Sequence, residues 1–155
     1  MMMFDIEAPM PGDPLFASWE RIAQTNPATV NETTLRYKVF LVRVSLRVGG
    51  VELITRDSYV TMVDMALSAA FAAKRIKAGK IGGLGFTEHN EVIKFEIKGD
   101  DVYVYSSDAP SVVGIAARAE VMSGLKKFAS NAHSLLVEYN RELERNPVIS
   151  RLKAS

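Results

Sequence analysis

A run of period-two alternation interrupted by a glycine pair constrains this chain more than any other feature. Phe40, Val42, Val44, Leu46 and Val48 fall on one side and Arg43, Ser45 and Arg47 on the other, the pattern of a half-buried strand beginning near Arg36. Gly49-Gly50 supplies the positive φ angles of a two-residue turn, and residues 51–55 return as the antiparallel partner. A second hairpin follows the same logic. Ile93, Phe95 and Ile97 alternate with Lys94, Glu96 and Lys98; Gly99-Asp100 turns; Val102 to Tyr105 returns with Tyr103 and Tyr105 on one face. Val112 to Ile115, after the Asp108-Ala109-Pro110 turn, reads as a short fifth strand, the alternative being the first turn of the last helix.

Between and around the hairpins the apolar period becomes helical. Asp13-Pro14 reads as an N-cap with proline at the first helical position, and Leu15, Phe16, Trp19, Ile22 and Ala23 then share a face, so a short helix is expected over residues 14–24 with Trp19 as its core anchor. Thr61 and Asp64 resemble a capping box ahead of a broad, alanine-rich apolar face that reaches Ile76, and Lys74, Arg75, Lys77 and Lys80 collect at the end of that helix. From Arg118 the apolar positions Val121, Met122, Leu125, Phe128, Ala132, Leu136 and Leu143 keep the helical period up to Asn146-Pro147, so one long amphipathic helix is expected to lie across the sheet. The expected fold is α+β: an antiparallel sheet of two hairpins, with the fifth strand, packed against a mid-chain helix and a long C-terminal helix, plus the short N-terminal helix. Residues 1–12, with four Met and two Pro before Gly12, read as an arm over the surface; residues 13–147 form the single domain and residues 148–155 a tail.

With 155 residues, of which 48% are apolar, the chain is long enough to bury a core without a staple. Its lack of cysteine excludes disulfide, thiol and iron–sulfur chemistry and fits a reducing cytoplasm, where the protein is expected. The first twenty residues carry Asp5, Glu7, Asp13 and Glu20 and do not read as a signal peptide, and no apolar stretch approaches a membrane span. The formal charge of +1 conceals blocks: −4 over residues 1–33, +6 over 34–80, −4 over 81–108 and +3 over 109–155.

Catalysis is not expected. His89, beside Glu88 and Glu91, lacks a neighbouring nucleophile and reads as a loop histidine, and His133 reads as structural. No catalytic residue, metal ligand or cofactor is assigned. Residues 79–85, with Gly79, Gly82, Gly83 and Gly85, come closest to a phosphate loop, but they follow a helix and precede a strand, the reverse of the order that aims helix N-terminal amides at an anion. This stretch reads first as a helix end with a flexible linker. A small-molecule or nucleotide module using it together with Lys74, Arg75, Lys77 and Lys80 is the alternative function. Nucleic acid is not expected as a partner, because the net charge is near zero and no aromatics are interleaved with the basic residues. The C-terminal apolar stripe is only as wide as burial on one sheet requires, so a monomer is expected.

Residues 36 to about 145 resemble small bacterial immunity-like domains of polymorphic-toxin and contact-dependent-inhibition systems. The resemblance is carried by the hairpin Val48-Gly49-Gly50-Val51-Glu52-Leu53 and by Val63-Asp64-Met65-Ala66-Leu67 opening an apolar helix. It continues in Phe86-Thr87-Glu88 leading into Val92-Ile93-Lys94-Phe95, in Lys98-Gly99-Asp100-Asp101-Val102-Tyr103-Val104, and in the long terminal helix. It implies a non-catalytic inhibitor that binds one cognate protein toxin. The acidic second hairpin is then the expected contact surface, with Glu88, Glu91, Asp100, Asp101 and Asp108 around Tyr103 and Tyr105 as anchors.

Overall fold

In the computed structural model, which describes residues 1–153, the α+β expectation holds with a larger sheet inventory than the two hairpins. The first four-stranded sheet contains β1 (Met2–Glu7), β2 (Leu41–Val48), β3 (Val51–Ile54) and β4 (Tyr59–Thr61), with β1, β3 and β4 all antiparallel to β2. The second runs in the order β5 (Gly82–Gly85), β6 (Val92–Lys98), β7 (Asp101–Ser106), β8 (Ala109–Ala117). Helices α3 (Met62–Lys77) and α4 (Arg118–Tyr139) pack on each other, with β1 against α4 and β5 against α3. Smaller pieces complete the layer: α1 (Phe16–Glu20), α2 (Glu32–Tyr37) and α5 (Pro147–Lys153).

The N-terminal residues are not an arm. Met2, Phe4 and Ile6 point inward from β1, and Phe4 stacks on Phe128 of α4 with ring centroids 3.7 Å apart. The register Met2↔Val48 through Glu7↔Arg43 makes β1 an integral strand. At the other end, the expected tail is helical from Pro147 onward and buries Ile149 and Leu152; its last two residues lie outside the described ones. The α4 helix stops at Tyr139 rather than at Asn146, and a 3-10 turn over Arg141–Arg145 bridges to α5.

The strand expected from Arg36 begins only at Leu41. Asn31 accepts a hydrogen bond from the Thr34 amide at 2.9 Å and so caps α2, which occupies the intervening residues. Phe40 then turns the chain with φ of 59°, a strained conformation for a bulky residue. It is held there fully buried, with its carbonyl accepting from the Met62 amide and its ring edge-on to Trp19 at 4.9 Å. Trp19 is itself buried, and its indole donates to the Leu41 carbonyl at 2.8 Å, so it anchors the N-terminal segment as expected. That segment is shorter than the residue 14–24 helix: α1 continues as a 3-10 turn over Arg21–Gln24.

The capping box is also reassigned. Thr61 caps nothing with its side chain and pairs with the Thr87 hydroxyl at 3.0 Å instead, while Asp64 takes Arg36 of α2 at 2.7 Å and the Thr87 hydroxyl at 3.2 Å. Arg36 also meets Glu32, which Arg151 of α5 reaches at 2.6 Å. The Arg36 and Arg151 guanidiniums hold the Glu32 carboxyl below its ordinary value.

The two sheets meet where the β2–β3 turn approaches β8. Gly49 and Gly50 adopt the expected positive φ of 56° and 81°. A Cβ on Gly114 of β8 would sit 2.9 Å from the Cβ of Val48, so this backbone approach requires glycine.

Candidate functional site

The outer face of the second sheet collects the two tyrosines of the expected contact surface. Alternation along β7 buries Val102 and Val104 and turns Tyr103 and Tyr105 outward. Register then chooses their neighbours: Tyr103 stands opposite Glu96 and Ile115, and Tyr105 opposite Lys94 and Val113. Tyr103, Tyr105, Val113 and Ile115 therefore form one apolar cluster over two strands, bordered by the Lys94, Glu96 and Lys98 row of β6. Ile115 is 45% exposed. Both tyrosines are held by the charged row, since Lys98 Nζ lies over the Tyr103 ring at 4.5 Å and the Tyr105 hydroxyl donates to Glu96 at 3.2 Å. Desolvation by these neighbours, followed by the Glu96 contact, raises the Tyr105 phenol above its ordinary value.

The acidic residues do not join this cluster as one patch. Asp100 and Asp101 occupy the β6–β7 turn, whereas Glu88, Glu91 and Asp108 sit at the opposite end of the strands, roughly 20 Å away for a seven-residue β6. Asp100 shares its pole with cations: its carbonyl accepts the Arg118 amide at 2.8 Å, and Arg118 reaches the Ile76 carbonyl at the end of α3 at 2.7 Å. At the other pole Glu91 accepts from the Ser106 hydroxyl and lies 3.7 Å from His89, whose ring stacks on Phe86. The charge blocks of the sequence are thus mixed in space. Val113 and Ile115 were absent from the expected surface, because Gly114 between them and Ala116 beyond them, though both buried, are too small to mark the inward face of β8 in the sequence.

The basic residues of the alternative site flank a strand rather than a loop. Gly82–Gly85 is β5, paired with β6 from Gly82↔Phe95 to Gly85↔Val92, so the glycine run is neither a flexible linker nor a cradle of converging amides. Arg75 is held by the Ile81 carbonyl at 2.6 Å, while Lys74, Lys77 and Lys80 make no ion pair among the described residues.

A concavity of about 480 Å³ lies elsewhere, on the outer face of the first sheet among Asp5, Arg47, Glu52, Arg56 and Asp57. Its charges alternate in sign, and Arg56 pairs with Glu7 at 3.4 Å. Met3 and Asp5 of β1 line it, so it exists only because residues 1–12 are not an arm. Among the described residues, no three His, Asp or Glu side chains gather where they could hold a metal ion, and no helix is long and apolar enough to cross a membrane.

His133 lies buried on α4. Burial holds its imidazole below the ordinary value of 6.5, with Lys153 acting in the same direction and Glu144 opposing. The unfolded chain then binds more protons than the folded one below that value, so stability falls as pH drops through 6.5 toward the lowered pKa. Replacing it in H133L is expected to flatten this part of the profile in urea titrations between neutral and mildly acidic pH. An unchanged slope would assign the acid loss to other groups.

No family model, curated protein or solved structure matches this chain.

Proposed function

We propose that this chain is a non-catalytic immunity protein that binds a cognate bacterial protein toxin through the outer face of β6, β7 and β8. The observation that supports this reading is the uncovered cluster of Tyr103, Tyr105, Val113 and Ile115. Tyrosines carry a disproportionate share of binding energy because they bury large area at little rotamer cost. Here Lys98 and Glu96 already hold both rings against the sheet, which lowers the ordering cost of association. A standard interface needs about 800 Å² from each partner, so the cluster would be the centre of the contact and Lys94, Glu96 and Lys98 part of its rim. The rim carries both signs of charge, so the partner need not be strongly basic. The toxin class rests on the resemblance in element order, and the face argues for a protein partner.

The test is co-expression with the product of the neighbouring upstream gene. The expected result is rescue of growth and a complex that survives size-exclusion chromatography. The double variant Y103S/I115S, altered only at outward positions, should keep its melting temperature and weaken the complex by roughly a hundredfold, about 3 kcal/mol. A neighbour that is harmless, or a variant that protects as well as the parent, would overturn the proposal.

A further inference from the structure

We propose that the free edge of β5 receives an extended, acidic segment of a protein partner as an added strand. This surface is distinct from the Tyr103 face, and the proposal does not depend on the toxin reading. Three observations meet at this edge. First, β5 ends its sheet, so alternate residues of Gly82–Gly85 direct their N–H and C=O groups away from β6 with no strand to receive them. Second, α3 is buried around most of its circumference, and Ser68, Phe71, Lys74 and Arg75 form an open stripe along it. That stripe runs beside β5: Ala72 abuts Gly82, where a Cβ would meet the Ala72 Cβ at 3.3 Å, and Arg75 Nε donates to the Ile81 carbonyl. A strand added to β5 would therefore lie over the stripe and cover Phe71, which is 62% exposed in the middle of an otherwise buried helix, together with Ile81 at 51%. Third, Lys74 and Lys80 stand on this rim without ion-pair partners among the described residues, so the surface favours carboxylates.

The two edges of this sheet are not equivalent. At the opposite edge, the β2–β3 turn lies against Gly114 and Ile115, and Pro110 removes a donor from β8. At β5 no proline removes a donor, and no strand pairs on the side away from β6. Recognition would follow the strand-addition mode: main-chain hydrogen bonds supply affinity, and alternate side chains supply specificity, apolar toward Phe71 and Ile81 and acidic toward the lysines.

The probe is an N-acetylated heptapeptide alternating glutamate with valine and phenylalanine, added to the intact chain and followed by backbone amide NMR and hydrogen exchange. The expected result is shift changes and new exchange protection at Ile81 to Gly85 and at Phe71. N-methylation of alternate peptide amides removes the main-chain bonds while leaving every side chain in place, and should weaken binding by roughly tenfold or more. The exposed substitutions F71S and K74E/K80E should each weaken it at least as much without lowering the melting temperature, and Y103S/I115S should bind the peptide normally. The proposal is overturned if the methylated peptide binds equally well, which would leave charge attraction alone. It is also overturned if no β5 amide responds, or if light scattering shows a dimer that F71S or K74E/K80E returns to monomer.

Discussion

Truncating Phe4 to alanine is expected to destabilise the protein by about 3–4 kcal/mol, and a chain begun at residue 9 should not fold cooperatively. Phe4 is only 6% exposed, and its ring is stacked on Phe128, itself fully buried, at an interplanar angle of 17°. Removing it opens a cavity between β1 and α4 that neither a strand held in register nor a 22-residue helix can close by sliding. For a chain of this size each kcal/mol moves the melting temperature by about 2–4 °C, so F4A should melt roughly 10 °C lower. Loss of the whole segment also strips β2 of one neighbour along six paired residues and exposes the buried side of Val44, Leu46 and Val48. Urea unfolding distinguishes the alternatives. An arm laid on the surface would cost under about 0.5 kcal/mol on truncation, and a value that small would contradict the role of β1.

The same strand shows what the sequence does and does not disclose. Met2, Phe4 and Ile6 alternate with Met3, Asp5 and Glu7 as cleanly as any residues of β6, but the segment is short, with its nearest prolines at 9 and 11, and its partner lies some forty residues away. Local period shows that a strand is possible, and only the packing of Phe4 on Phe128 makes one. The two hairpins were legible because turn and partner lie within a dozen residues, so Gly49-Gly50 and Gly99-Asp100 specify the pairing locally. By contrast, α2 was obscured because Tyr37, Val39 and Leu41 alternate with Phe40 and Val42, so that both faces of a strand pattern read as apolar, a consequence of the buried corner at Phe40. Tyr103 and Tyr105 were found from their own alternation. Their neighbours on β8 were not, because Gly114 and Ala116 are too small to read as a core face. Charge misled for a related reason: a block of acidic residues along a hairpin is divided between its two ends once the strands extend.

The second large effect is expected at Asn146, a residue that reads in sequence only as a stop before Pro147. It is fully buried, and its side-chain amide donates to the carbonyls of Pro27 and Val30, each at 3.0 Å, while its oxygen accepts the Val148 amide at 2.9 Å. One side chain thus ties the residue 26–30 loop to the start of α5 and satisfies three backbone groups. Substitution N146L keeps the branched shape and the number of side-chain heavy atoms and leaves all three unpaired, at about 1–3 kcal/mol for each desolvated group, so a total loss of about 3–5 kcal/mol is expected after relaxation. N146D is the sharper experiment. Its carboxylate could still accept from Val148 but would face two carbonyl oxygens, so burial and repulsion would raise its pKa above the usual value near ~3.9. The folded state would then bind a proton that the unfolded state releases, and the stability of N146D relative to wild type should rise as pH falls toward the acid range. This is the reverse of the trend expected from His133. Measuring both variants by urea titration at neutral and acidic pH separates the polar network from simple packing. If N146L loses less than about 1 kcal/mol and N146D shows no acid recovery, the three hydrogen bonds do not hold the loop.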